Sequence, residues 1–166
     1  MTDNDFAGQF AAMREAMYRV SYAQLSQSAE RDDAVQEALL KAWSNRHRLT
    51  SERHMQTWVI RILINECHNI HRKRAREIPL AEPPERIAPP DTDADLHDAL
   101  FRLDEGLRTP VTLHYIEGFQ VSEIAKILRV PQGTVLWRLS KARKLLREML
   151  SEDGKPEAGR LSQKEV

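Results

Sequence analysis

Between Met55 and Arg76, six side chains recur every three or four positions: Trp58, Arg61, Asn65, Asn69, Arg72 and Arg76. Wound as an α-helix, that spacing gathers an indole, two amides and three guanidiniums on one face, with no carboxylate among them. An aromatic ring can stack on an unpaired base, amides can bond base edges and cations can meet phosphates, which together make a surface for single-stranded nucleic acid. The ordinary reading of such a face is solvation, as on most amphipathic helices. The large Trp58 on the wet side and the missing acids favour nucleic acid. The opposite side carries Val59, Ile62, Leu63 and Ile70, with Met55 and Cys67 at its margins, at the spacing of a buried stripe. Glu66 falls on that apolar side and requires a partner there.

A second basic block lies further along. Lys126 to Arg147 holds seven cations and no acid, while Lys41 to Arg76 holds nine cations against Glu52 and Glu66. The whole chain of 166 residues balances 25 basic against 25 acidic residues, so net charge hides two separate surfaces suited to a polyanion. Aromatic residues are 6% and charged residues 30%, a composition suited to small helical units with wet surfaces. The lone Cys67 excludes an intramolecular disulfide and fits a reducing, cytoplasmic compartment. No apolar run is long enough to span a membrane and no signal peptide opens the chain, so no membrane insertion is expected.

The elements that position these surfaces follow from periodicity, and all are helical. Phe6, Phe10, Met13, Met17 and Val20 step by four and three, predicting a helix from about Asp5 to Gln27. A second helix is predicted from an N-cap at Ser28, with Val35, Ala38, Leu39, Ala42 and Trp43 facing inward. On its outer side Asp33, Gln36, Glu37 and Leu40 form a stripe that could dock a basic, apolar protein partner. Asn45 to His54 reads as a polar basic loop. Ile78 to Asp95 contains five prolines and a cluster of acids, which makes it a boundary and a semi-stiff linker. Leu96, Leu100, Leu103 and Leu107 predict a helix stopping at Arg108, followed by Thr109 as N-cap and Pro110 as first helical residue. That short helix ends at Gly118, a second runs from Val121 to Leu128, and a longer basic one starts near Gln132. Two short helices at a tight turn and then a basic one describe a helix-turn-helix. Val135, Leu139, Ala142, Leu146 and Met149 face inward on the last helix. Leu136, Trp137, Ser140, Lys141 and Lys144 face outward, with Arg138, Arg143 and Arg147 flanking. The tail from Ser151 to Val166 reads as disordered.

Other chemistries are weaker fits. Of the Cys67, His68 and His71 group, Cys67 and His68 diverge by about 100° on a helix, so only the two histidines could share a metal. No Ser/His/Asp order and no carboxylate pair stands out. No catalytic residue, metal or cofactor is therefore assigned.

The order of parts is specific where each part is not. A helix bearing DDAVQE, a helix bearing W-x-x-R-x-x-x-N and then a basic run, a linker, and a helix-turn-helix bearing E-I-A and G-T-V follow one another up to Leu150. This resembles an extracytoplasmic-function (ECF) sigma factor of the sigma-70 superfamily. The resemblance implies an all-α fold of two small domains, 1–77 and 96–150, joined by the Pro-rich acidic linker 78–95, with 151–166 as tail. It implies a factor that binds bacterial core RNA polymerase, recognises and melts promoter DNA, and answers to an anti-sigma factor. Asp32, Asp33, Gln36, Glu37 and Leu40 would then dock the polymerase. Arg46, Arg48, His54, Trp58, Arg61, Asn65, Asn69 and Arg72 would read the melted −10 strand. Gln132, Thr134, Trp137, Arg138, Lys141, Arg143 and Lys144 would read the −35 duplex. The alternative is a helix-turn-helix regulator that never docks on polymerase.

Four positions depart from the family pattern. Asn69 stands where Asp is typical. Gln120 replaces a capping Ser or Thr, predicting a less firm start to the helix after it. Arg129 replaces a turn Gly and is expected to need a positive φ at a cost of about 1 kcal/mol. Leu136-Trp137 replaces a basic residue and a Ser, which implies an altered −35 preference with apolar contact to a thymine methyl.

Overall fold

The computed structural model of the chain describes residues 2–77 and 93–152, and every element among them is helical. The N-terminal set is α1 (Asp3–Gln24), α2 (Ser28–Ser44) and α3 (Met55–Arg76). The C-terminal set is α4 (Ala94–Arg102), α5 (Glu105–Val111), α6 (Val121–Leu128) and α7 (Gln132–Glu152). The expected linker lies outside the described residues up to its last three, which cap and open α4, and the tail lies outside them beyond Glu152.

α1 begins on a reciprocal cap: the Thr2 hydroxyl accepts from the Asp5 N–H at 3.1 Å, and the Asp5 carboxylate accepts from the Thr2 N–H at 3.1 Å. Its predicted stripe of Phe6, Phe10, Met13, Met17 and Val20 is buried. α2 differs from its reading. Gln27 holds the cap position without a side-chain capping bond, and the buried residues are the small ones, Ala34, Val35, Ala38 and Ala42. Leu39 and Trp43, expected inward, are 40% and 39% exposed. Alanines let α2 pack closely on α3, which turns the larger side chains towards solvent. The loop from Asn45 to His54 contains two single 3₁₀ turns, Arg46–Arg48 and Glu52–His54.

α3 is the central helix, and it is buried on more than one side. Val59, Leu63, Met55 and Cys67 are enclosed as predicted, while Ile62 and Ile70 are only partly buried. Ile60 and Ile64, absent from the predicted stripe, are each 1% exposed. They lie three and seven residues beyond Thr57, whose hydroxyl donates to Glu123 of α6, and so share a third side of α3 that no two-face reading of the helix provides for. Glu66 finds its partner in Lys41, at 2.5 Å across the α2–α3 contact. Cys67 is fully enclosed, and burial, with the Glu105 and Glu66 carboxylates adding to it, pushes its thiol up to about 12. At pH 8 the thiol stays protonated. Iodoacetamide should therefore leave native protein unlabelled and modify it readily in denaturant. Labelling of the native chain at the rate of a free thiol would contradict this burial.

The leucine series Leu96 to Leu107 does not form one helix. It divides at Leu103 and Asp104 into α4 and α5. Asp93 caps α4, its carboxylate accepting from the N–H groups of Asp95 at 3.0 Å and Leu96 at 3.2 Å. Thr109 and Pro110 are no helix start. Both are buried inside α5, which continues through a wider π-turn at Thr112–Ile116 before Gly118 turns the chain at φ 79°. A proline within a helix removes one backbone bond and crowds the preceding turn, and the chain widens directly after it. α6 has the predicted limits. Its start is firmer than Gln120 implied, because the Glu123 carboxylate accepts from the Gln120 N–H at 3.0 Å. Arg129 does adopt the left-handed conformation, φ 57° and ψ 47°.

The two sets share one apolar core, and polar contacts surround it. Arg19 donates to both Glu117 oxygens at 2.6 and 3.1 Å, a two-pronged pair between residues 98 positions apart. Gln24 donates to the Thr109 hydroxyl, the Thr57 hydroxyl donates to Glu123 at 3.2 Å, and Tyr22 meets His97 at 2.7 Å.

Candidate nucleic-acid interface

The outer side of α3 is assembled much as its spacing requires, with one change of role. Trp58 is not free on the wet side. It is half-buried and sets its ring edge-on to Phe6 at 6.5 Å, so it is partly a core residue. Arg61 and Asn65 are half-exposed beside the contact with α6, and Asn69 and Arg72 are exposed further along. Arg72 donates to the Asn69 amide oxygen, so the amide positions the guanidinium even where a carboxylate would be usual. Glu66, the one acid of α3, points the other way into its pair with Lys41. This face consequently keeps an uncompensated positive field.

The loop before α3 contributes less evenly. Arg48 and His54 are exposed. Arg46 is engaged within the fold: its guanidinium binds the Asp3 carboxylate at 2.8 Å and lies 4.0 Å over the Trp43 ring. The Arg46 guanidinium in turn holds the Asp3 carboxyl below its ordinary range. His68 and His71 turn towards Glu105 on α5, at 3.8 and 3.1 Å. Burial against α5 lowers the His68 pKa from its ordinary value. Among the described residues no three His, Cys, Asp or Glu side chains gather closely enough to hold a metal ion.

On α2, Asp32, Asp33, Gln36, Glu37 and Leu40 are all exposed, and Leu40 is 60% exposed. Leu39 and Trp43 extend this stripe into a continuous apolar strip with an acidic border, wider than periodicity alone indicated. The Trp43 ring anchors it, edge-on to Phe6 at 5.8 Å on one side and under Arg46 on the other.

α7 presents the second nucleic-acid surface. Val135, Leu139 and Ala142 are buried beneath it, and Leu146 and Met149 partly so. Gln132, Leu136, Trp137, Ser140, Lys141 and Lys144 are exposed, and Thr134 and Arg138 half-exposed beside them. Lys141 places its ammonium 5.0 Å over the Trp137 ring. Arg143 belongs to another side: it is half-buried and donates to the Tyr115 hydroxyl at 2.7 Å, bracing α7 against the π-turn.

A helix-turn-helix packed beside a three-helix unit, with separate cationic faces on α3 and α7, defines a DNA-binding transcription factor of two helical parts. Residues 10–77 match the family Sigma-70 region 2, and residues 93–146 match Sigma-70, region 4. The RNA polymerase sigma-H factor of Pseudomonas aeruginosa is 30% identical over 141 residues, covering 73% of each chain. The ECF RNA polymerase sigma factor SigW of Bacillus subtilis is 26% identical over 167 residues and covers 89% of each. Among solved structures, the sigma factor RpoE of Bartonella quintana in complex with the anti-sigma factor NepR superposes with a TM-score of 0.78 at 27% identity, over 89% of this chain and 97% of that one. The chain belongs to the sigma-70 family, among its extracytoplasmic-function members. It is a transcription-initiation factor.

Proposed function

We propose that this sigma factor docks on bacterial core RNA polymerase through α2, reads the melted −10 strand with α3, and holds the −35 duplex with α7. It acts in the cytoplasm, where the polymerase is, and is released from an anti-sigma partner of the kind its relative RpoE binds. Asp32, Asp33, Gln36 and Glu37 steer the polymerase surface, and Leu40, Leu39 and Trp43 supply its apolar anchor. Trp58, Arg61, Asn65, Asn69 and Arg72 face the unpaired strand, with Arg48 and His54 at the approach. The DNA surface of α7 comprises Gln132, Thr134, Trp137, Arg138, Lys141 and Lys144. Arg46 joins the reader only by leaving Asp3, and Arg143 only by leaving Tyr115.

One observation carries the reading: α3 turns its only acid inward and leaves amides and guanidiniums outward. Such a face grips a strand whose bases are available and gains little from a closed duplex. That difference in affinity favours the melted state. Run-off transcription with core enzyme on genomic DNA, with start sites mapped by sequencing, tests the whole assignment. At a promoter so mapped, Asn65→Ala should lower permanganate reactivity of the −10 thymines about tenfold, the effect of losing roughly 1.4 kcal/mol of strand-specific contact. Binding to the −35 duplex should remain as it was. Undiminished thymine reactivity would remove Asn65 from the reader.

A further inference from the structure

Leu136 and Trp137 are 56% and 59% exposed, and they stand at the leading half of the helix that faces duplex DNA. Along α7 the solvent-facing ridge runs Gly133, Leu136, Trp137, Ser140, Lys141 and Lys144, all within a sector of about 140° at 100° per residue. Cations therefore border the middle and far part of the ridge, and two apolar side chains occupy its front. The Lys141 ammonium rests on the Trp137 ring, so that the ring lies along the ridge rather than folded back into the core. Phosphate binding needs the cations. It does not need the leucine or the indole.

We infer that Leu136 and Trp137 form an apolar specificity element of the −35 reader, selecting thymine through its 5-methyl group. The major-groove floor offers hydrogen-bond donors and acceptors on every base pair but only one apolar group, the methyl on C5 of thymine. Behind Gln132 and Thr134, which can pair with base edges, Leu136 and Trp137 leave base-edge polar groups unpaired wherever no methyl stands opposite them. At a thymine they instead remove a methyl from water. Cytosine at the same place offers an amino group that neither side chain can accept from. The preference follows from these two residues alone, and it rests on α7 being the duplex-reading helix.

The test uses the complete factor with core polymerase and a promoter found by start-site mapping. Each thymine of the upstream element is replaced in turn by deoxyuridine, which removes the methyl and leaves all hydrogen bonding intact. Holoenzyme binding should fall about fourfold at each contacted position, the value of one buried methyl group. In the Leu136→Ala, Trp137→Ala double variant, thymine and uracil templates should bind alike. Uracil without effect at any position, on a promoter that still requires its upstream element, overturns the inference and leaves the reader assignment standing. So does a double variant that keeps the native sensitivity to uracil. A holoenzyme indifferent to the entire upstream element would overturn the reader assignment and the inference with it. A dimer in solution that Trp137→Ala dissociates, together with uracil having no effect, would assign the pair to self-association instead.

Discussion

Leu40→Glu is expected to weaken binding to core RNA polymerase by about 100-fold or more while leaving the fold unchanged. Leu40 is the most exposed large apolar side chain of α2. Glutamate matches leucine in helix propensity within a few tenths of a kcal/mol, so α2 itself should be indifferent to the change. At a docked surface the position changes character. Leu40 sits inside an acidic border of Asp32, Asp33 and Glu37, which suits the centre of an interface whose rim is charged. A carboxylate placed at that centre loses the apolar contact and must be desolvated without a partner, together about 3 kcal/mol or more. Thermal unfolding of the variant should match the native chain, since exposed substitutions seldom exceed about 0.5 kcal/mol. A titration of labelled factor with core enzyme reads the result. Native affinity in Leu40→Glu would place the docking surface elsewhere on the chain.

The parts legible in the sequence were those governed by a single period. The α1 stripe is buried on one side, so every apolar residue of the series Phe6 to Val20 reports the same face. α6 was legible because a positive-φ residue bounds it on either side, Gly118 three residues before its start and Arg129 at its end. α3 resisted because neighbours cover it on several sides. Ile60 and Ile64 break a two-face pattern, yet both are core residues. Thr109 and Pro110 have the chemistry of a helix start, but burial under Gln24 of α1 overrides local preference. On α2, size decided the outcome: alanine admits a close neighbour, and Leu39 and Trp43 were displaced outward. The site residues on α2 are exposed where periodicity put them, as are Gln132, Trp137, Lys141 and Lys144 on α7, with Thr134 and Arg138 half-exposed. Arg46 and Arg143 were not available as read, because their partners Asp3 and Tyr115 come from distant parts of the chain. No local pattern encodes such pairs.

The contact between the two halves bears directly on how the factor works. In the proposed assignment α3 and α7 serve promoter elements centred about 25 base pairs apart, ~85 Å of duplex at 3.4 Å per base pair. Here α6, which packs on α7, also packs on α3, so on that assignment engaging both elements would require the halves to separate. Arg108 is one of the residues that such separation disturbs. It is 7% exposed, its Nε donates to the Ala23 carbonyl of α1 at 2.7 Å, and its Nη1 donates to Leu103 at 2.8 Å. The guanidinium also lies 5.0 Å over the Phe101 ring, and its burial lowers its pKa from the ordinary value. Arg108→Ala leaves two carbonyls enclosed without donors and opens a void, a loss of about 3 to 5 kcal/mol. For a chain of this size that corresponds to a fall in Tm of roughly 6 to 20 °C. Arg108→Met fills the void yet restores neither bond, so it should recover only part of the loss. A Tm within about 2 °C of native in both variants would mean that the Ala23 contact contributes little to holding the halves together. With a real loss, the same variants report on opening. If separation precedes promoter binding, weakening the Ala23 contact makes the open form more populated, and promoter occupancy in the presence of core enzyme should require less factor even as the free factor melts earlier.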